Sequence, residues 1–356
     1  MNVSYTIGEF VIEHFRGLNN LTLSDLSRVN IFAGANNSGK TSILEAIRLM
    51  SNPSNIGELV ALSMLRASPS TQAKATNNIS YILNIFQKDA NIEEGNSFYR
   101  IKISALVEGV FNLFEADANV TESIDAVGNT RPMLELSIKN TKGNNSKPTF
   151  QTAEIVSGLE RNFTATEKKL YNAVFIYSTV NHYKSTVKML SNYIISEGKA
   201  AIISILKSFD SHIDEINIVG DDIYLHNSVT GSLPLFSYGA GMQKAVFLTV
   251  AIANCKDGVI LIDEIDNTIH VSALEDLFQW FLDACLKYNV QAFITTHSAE
   301  ALDAILRVTH EKHANDDLLR IITLRKNYSS NSIYTKKRTG EEAYQDREKY
   351  ELELRI

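Results

Sequence analysis

The sequence predicts an α/β fold interrupted by an inserted antiparallel β lobe and carrying helical additions. Three observations lead there. A strand, a glycine-rich loop and a helix follow one another near the N-terminus. Two near-continuous apolar runs in the last third alternate with helical segments, and between these regions the hydrophobic pattern turns to period two. Near-continuous apolar runs mark strands of a parallel sheet covered on both faces, whereas alternation marks strands with one face exposed.

Taken in order, Phe10-Val11-Ile12 and Val29-Asn30-Ile31-Phe32 are short β-branched and aromatic runs and read as strands. The loop Gly34 to Gly39 follows, and then Ile43, Leu44, Ile47 and Met50 fall at helical spacing. Ser51 to Ala75 is polar, contains proline and shows only a weak pattern. Phe98 to Leu106 and Met133 to Ile138 alternate, with turn residues Lys142-Gly143-Asn144-Asn145 nearby, which predicts an antiparallel insertion between about residues 90 and 160. Ala173 to Tyr177 reads as a buried strand. Leu190 to Phe209 reads as a helix with Ile194, Ile195, Ile202, Ile205 and Leu206 on its core face. Ile216 to Val219 and Ile223 to Leu225 flank Gly220-Asp221-Asp222, a hairpin signal. Lys244 to Ala253 is helical, Val259 to Ile262 a buried strand, Ser272 to Leu286 helical and Ala292 to Thr295 a second buried strand. Thr339 to Ile356 is charged and helical in part. The expected division is residues 1–50 with 230–356 as a core and 51–229 as an inserted β lobe and helical region.

Composition narrows the function classes. At roughly 150 residues per domain, 356 residues suit two domains or one large domain with an insertion. Hydrophobic residues at 44% and charged residues at 21% exclude disorder, collagen or a coiled-coil rod for the whole chain. The 34 Lys and Arg stand against 41 Asp and Glu, a net charge of −7. That argues against a globally basic nucleic-acid binder and leaves a local basic patch open. Cys255 and Cys285 cannot form a disulfide framework for a chain of this size and read as buried thiols in a reducing compartment. Met1 to His14 carries Glu9 and Glu13 and no basic region, unlike a secretory signal. The longest apolar run, Ala245 to Cys255, falls short of the ~18 residues of a membrane span. A cytoplasmic protein with no membrane contact is expected.

Gly34-Ala35-Asn36-Asn37-Ser38-Gly39-Lys40-Thr41 matches G-x-x-x-x-G-K-[ST] between a strand and a helix, the context that gives this motif meaning. Glycines let backbone amides surround phosphate groups, and the helix N-terminus adds its positive dipole end. Gly34, Asn36, Asn37, Ser38, Gly39, Lys40, Thr41 and Ser42 are therefore the expected nucleotide-binding residues. Lys40 reaches the β- and γ-phosphates, and the Thr41 hydroxyl is a ligand for Mg²⁺. Ile260-Leu261-Ile262-Asp263-Glu264 ends an apolar strand in two carboxylates. Alternate pointing at the strand tip turns Asp263 to the metal and Glu264 to the attacking water as general base. Thr295-Thr296-His297-Ser298 ends the other buried strand, where His297 can donate to a γ-phosphate. The expected catalytic residues are thus Glu264, His297 and Lys40, with Thr41 and Asp263 as metal ligands. Ser237-Tyr238-Gly239-Ala240-Gly241 precedes a helix, so Ser237, Gly239 and Gly241 form either a second phosphate-binding helix start or a plain turn. Lys336-Lys337-Arg338 and the segment Glu341 to Arg355 read first as a solvated helix face, with nucleic-acid or partner contact as the other reading.

The order of these motifs resembles the ABC/SMC/RecF head superfamily. Phe15-Arg16-Gly17, Glu264-Ile265-Asp266-Asn267-Thr268-Ile269-His270 and Thr295-Thr296-His297-Ser298 resemble, more narrowly, the OLD-type ATPases (AAA_15/AAA_21) of bacterial plasmids and anti-phage systems such as Gabija, Septu and PARIS. The resemblance covers about residues 1–50 and 230–310. It implies an ABC-type P-loop ATPase head using ATP and Mg²⁺, with a homodimer or larger assembly in which Ser237, Gly239 and Gly241 complete a partner's site. It also implies a D-loop from Asp266 to His270 at the dimer interface. Arg16 is implied near the nucleotide, a solvated strand-end arginine being the equal alternative.

The signature departs from L-S-G-G-Q, and no Q-loop glutamine can be assigned; Gln87 is a poor candidate. Long heptad arms are absent, so a rod-type SMC protein is excluded. The segment after His297 is shorter than the roughly 100 residues of an ordinary extra domain, so the Toprim nuclease of OLD proteins is expected to be absent or supplied by another chain. The expected function is a Mg²⁺-dependent ATPase whose dimerisation regulates a separate effector, a nuclease of Toprim or HNH type, in anti-phage defence. The alternatives are a RecF-like ATP-dependent DNA clamp and a nucleotide-gated scaffold; contact with nucleic acid is left open.

Overall fold

The computed structural model describes residues 6–65, 79–88, 98–124, 128–143, 146–157, 169–178, 183–207, 209–267, 269, 271–312, 318–327 and 332–355. Along the chain come β1 (Ile7–Phe15), β2 (Leu18–Leu23), β3 (Val29–Gly34), α1 (Lys40–Ser51), α2 (Ile56–Met64), α3 (Ile79–Leu83), β4 (Gln87–Lys88) and β5 (Phe98–Val107). Next are β6 (Val110–Ile124), β7 (Thr130–Lys142), β8 (Thr149–Val156), β9 (Ala173–Ile176), α4 (Tyr183–Glu197), α5 (Ala200–Leu206), β10 (Ile213–Val219), β11 (Asp222–Asn227) and β12 (Gly231–Pro234). Last are α6 (Ala240–Asn254), β13 (Val259–Ile262), α7 (Leu274–Lys287), β14 (Gln291–Thr296), α8 (Ala299–Lys312), β15 (Leu319–Asn327), β16 (Ser332–Thr339) and α9 (Gly340–Tyr350). Two compact units emerge, Met1–Leu26 with Thr41–Tyr171 and Lys326–Tyr334, and Ser27–Lys40 with Asn172–Arg325 and Thr335–Ile356.

The first unit holds a seven-stranded sheet in the order β2-β1-β5-β6-β7-β8, with β4 also on β5. The neighbours β1–β2, β1–β5, β4–β5, β5–β6, β6–β7 and β7–β8 are antiparallel. Alternation decides which face is covered: Ile101, Ile103, Phe114, Ala116, Leu134, Leu136 and Ile138 are buried, and the residues between them are more open. Glu108 and Gly109, both at positive φ, make the two-residue turn between Val107 and Val110, the geometry that matches strand twist. β1 and β2 belong to this sheet, a pairing across ninety residues that local pattern does not reveal.

The weakly patterned stretch after Ser51 contains a helix, α2. Asn55 caps it, its side chain accepting the Glu58 N–H at 3.2 Å.

The second unit is built on a six-stranded sheet in the order β16-β15-β3-β14-β13-β9. From β15 to β9 the neighbours are parallel. β3, β13 and β14 are buried at every position, as strands covered on both faces must be. Register brings Ala33 opposite Thr296 and Ile262 opposite Ile294, so the loops after β3, β13 and β14 leave the sheet at one edge. A second core in this unit joins α4, α5 and α6 to the small sheet β10-β11-β12 through Leu190, Ile202, Ile216, Ile223 and Val246.

The predicted single helix from Leu190 to Phe209 is instead two, broken at Gly198, whose φ of +81° a helix cannot hold. The break shifts the helical phase, and Ile195, expected in the core, is 83% exposed. The side chain of Ile205 lies outside the described residues. Among the described residues no helix is long and apolar enough to cross a membrane.

Candidate active site

In open α/β sheets, ligands bind at the carboxyl ends of the strands. Here that edge gathers the loop after β3, the carboxylates after β13 and the histidine after β14, all within the second unit.

The glycine-rich loop needs its glycines. Gly34 has φ +149°, and a Cβ there would lie 2.7 Å from the Leu324 carbonyl oxygen. Asn37 and Gly39 also take positive φ, 64° and 96°. Asn36 and Asn37 are exposed, while Ser38 is 4% exposed and its Oγ is buried with no hydrogen-bond partner among the described residues. Lys40 opens α1 and folds back, its Nζ donating to the carbonyls of Gly34 at 2.7 Å and Ala35 at 2.8 Å. Burial lowers the Lys40 pKa below its ordinary value, and Asp263 and Glu264 pull it back up. Thr41 and the buried Ser42 continue the first turn of α1.

β13 stops at Ile262, so strand alternation does not separate the two carboxylates as the sequence predicts. A left-handed residue does so instead: Glu264 has φ +52°. Asp263 is 7% exposed, accepts Thr295 Oγ1 at 2.8 Å on Oδ1, and accepts Ser178 Oγ at 3.1 Å on Oδ2. The Thr295 hydroxyl also accepts the Glu264 N–H at 2.9 Å. One buried hydroxyl therefore sets both acids. Glu264 Oε1 lies 3.8 Å from His297 Nδ1, and both side chains are open to solvent. Asp266 Oδ1 accepts Thr296 Oγ1 at 2.6 Å. Of the rest of the expected D-loop, Asn267 is exposed and Ile269 half-buried, and Thr268 and His270 lie outside the described residues.

Sequence reasoning missed Lys244, in the second turn of α6. Burial lowers its pKa, and the negative charges of Asp266, Asp263 and Glu264 oppose that shift. The available signal was a lone lysine heading the apolar run Ala245 to Ala253. Thr295 and Ser178 were also missed as partners of Asp263. Ser237 ends a short 3₁₀ turn, Gly239 caps α6, and Ser237, Gly239 and Gly241 are all exposed.

Arg16 is not a solvated strand end. Its Nε lies 2.7 Å from Glu45 Oε2, and the Glu45 side chain is fully buried. Gln87 is tied into the antiparallel sheet by His14 and the Leu18 carbonyl. Arg338 is 6% exposed and paired with Asp346, so the basic run in β16 is not a uniformly open patch.

A family model described as "AAA ATPase domain" matches residues 6–196. A second, described as "AAA domain, putative AbiEii toxin, Type IV TA system", matches residues 150–303. The chain is 24% identical over 332 residues to an ATP/GTP phosphatase of Helicobacter pylori, a match spanning 85% of this chain and 88% of the relative. It is 35% identical over 68 residues to an uncharacterized protein of Methanocaldococcus jannaschii, 19% of this chain and 60% of that one. Among solved structures, an SMC head bound to the C-winged helix domain of ScpA matches with a TM-score of 0.53 at 13% identity, covering 95% of this chain and 99% of that chain. At that identity the likeness is one of fold. The first family model covers more than half of the residues, and the chain belongs to the AAA ATPase domain family: it is an ATPase built on an ABC-type P-loop head.

Proposed function

We propose that this ATPase hydrolyses ATP with Mg²⁺ at the carboxyl edge of the parallel sheet and that two copies close over each other's nucleotide. In this reading the closure controls a separate effector, a nuclease of Toprim or HNH type, in bacterial anti-phage defence. The observation that carries the reading is the convergence of Lys40, Asp263, Glu264 and His297 on one edge, beside a loop whose Ser38 hydroxyl is buried without a partner among the described residues. A phosphate oxygen is the acceptor such a hydroxyl lacks.

Among the described residues no three His, Cys, Asp or Glu side chains group to hold a metal by themselves. Asp263 would hold Mg²⁺, with the Thr41 hydroxyl as the motif's own ligand and phosphate oxygens and water completing the shell. The ion supplies neutralisation of charge on the β- and γ-phosphates. Glu264 takes a proton from the attacking water as its oxygen bonds to the γ-phosphorus, and the bond to the bridging oxygen breaks to release ADP. Lys40 and the loop amides stabilise charge on the transferred group. His297, beside Glu264, donates to the γ-phosphate.

Dimer closure is supported by the surface loop before α6. A Cβ at Gly239 or Gly241 would meet nothing within 4 Å, and neither residue has positive φ. Their own chain does not require glycine there, and a bare backbone is what close approach by a second copy would use. Lys244, in the following turn, carries a charge that feels Asp266, Asp263 and Glu264. Mixing Lys40→Ala with Gly239→Asp chains tests trans completion: each is inactive alone, and the mixed dimer, with one intact site, regains partial activity. No recovery in confirmed heterodimers overturns the closure. The effector assignment predicts no nuclease activity from this chain alone; cleavage that persists in Lys40→Ala and Glu264→Gln overturns it.

A further inference from the structure

The segment after α9 is anchored with care. α9 ends at Tyr350, and Glu351 caps it at φ +49°, which turns the chain back. Leu354 is 1% exposed within the main core of the second unit, and its carbonyl accepts the fully buried Thr323 hydroxyl at 2.6 Å. Arg347 holds Asp303 on α8 through two bonds, at 2.7 and 2.6 Å, and donates to the Leu352 carbonyl at 3.1 Å.

Arg355 completes the strap. Its Nε and one terminal nitrogen grip Glu353 at 2.7 and 2.6 Å, which holds the Glu353 carboxyl down at about 2. The other terminal nitrogen donates to the main-chain carbonyl of His297 at 2.9 Å. That peptide lies between the end of β14 and the start of α8, beyond the strand ladder and before the helix. A surface ion pair alone contributes little to stability. Here the pair orients a guanidinium whose free edge is spent on the backbone that carries the imidazole.

We propose that Arg355 is a positioning residue for hydrolysis, clamping the main chain of His297 from the strap so that the imidazole stays beside Glu264. This rests on the assignment of His297 made above. A residue that fixes the orientation of a reactive side chain acts on turnover more than on substrate affinity.

The test is steady-state ATP hydrolysis, with ATP affinity and thermal unfolding measured alongside, for Arg355→Ala, Glu353→Gln, His297→Ala and the His297→Ala/Arg355→Ala double variant. Arg355→Ala is expected to lower kcat about 10-fold with KM unchanged, and Glu353→Gln to lower it less. The double variant should be no slower than His297→Ala, because the two changes act through one group. Full kcat in Arg355→Ala, with His297→Ala impaired, overturns the inference alone. A further loss in the double variant equal to the single loss also overturns it, by making Arg355 independent of His297. Wild-type turnover in His297→Ala overturns the histidine assignment and the inference with it. If Arg355→Ala fails to fold, the same comparison is made with Glu353→Gln, which frees the guanidinium without deleting it.

Discussion

Replacing Thr295 by valine removes one hydroxyl from a fully buried position and almost nothing else. That hydroxyl donates to Asp263 at 2.8 Å and accepts the Glu264 N–H at 2.9 Å. Losing a donor to a carboxylate costs about 1.5–3 kcal/mol, and stranding a buried N–H about 1–3 kcal/mol. Ser178 still donates to the other oxygen of Asp263, and Glu264 is partly open to water. Both facts favour the low end, a loss of about 2–3 kcal/mol in total. Urea unfolding should therefore show a lower midpoint with an unchanged slope. Turnover should suffer more than stability suggests. A non-glycine residue in the left-handed region costs roughly 1–2 kcal/mol, so Glu264 at φ +52° needs the Thr295 restraint to stay there. Released, it leaves the place that the proposed mechanism gives it beside the attacking water, and kcat should fall about 10- to 100-fold with ATP affinity nearly unchanged. Thr295→Ser keeps the hydroxyl and should restore both properties. A valine variant with wild-type turnover and a wild-type midpoint would refute this reasoning.

Lys244→Met should lower turnover about 10-fold while leaving the unfolding midpoint at pH 7 equal or higher, because burial disfavours the ammonium it removes. The folded pKa of Lys244 lies below 10.5, so between that lowered value and 10.5 the unfolded chain binds more protons. Wild-type stability should then rise relative to the variant as pH rises through that window; a destabilised variant with full turnover contradicts the assignment. Gly34→Ala places a methyl group 2.7 Å from the immovable Leu324 carbonyl and 3.0 Å from Ser38 Oγ, at a φ that alanine resists. Stability should drop by about 1–3 kcal/mol and binding of a fluorescent ATP analogue should weaken at least about 10-fold; normal affinity would contradict the account of the loop.

The readable part of the site is the part whose chemistry demands residue types at fixed spacing. Gly34 to Thr41 and the tips of two runs buried on both faces, Val259 to Ile262 and Ala292 to Thr295, could be recognised because phosphate cradling and parallel-sheet burial each leave a local signature. What could not be read depends on neighbours distant in sequence. Ser178 meets Asp263 only because β9 lies beside β13, and Thr295 reaches both acids only because β14 lies on the other side. No spacing rule encodes either meeting. The charge of Lys244 feels the acids across distant parts of the chain, and its only trace was a charge at the head of an apolar run. β1 joins β5 through alternation that any antiparallel strand could match. α2 was hidden by Pro53 and the polar residues around it, although Asn55 followed three residues later by Glu58 is a helix-start signal. Ile195 was misplaced because helical periodicity was carried through Gly198 as if the helix were unbroken.

The central claim is that the charged groups at the sheet edge divide the work, with Lys40 holding phosphate and Glu264 activating water. Single-turnover hydrolysis by Glu264→Gln, measured as phosphate release beside nucleotide binding and with Lys40→Ala as the control, tests it most directly. Glu264→Gln should bind ATP as the wild type does and release phosphate at least about 100-fold more slowly, the contribution of a general base. Lys40→Ala should lose binding itself. Undiminished phosphate release from Glu264→Gln would contradict the account.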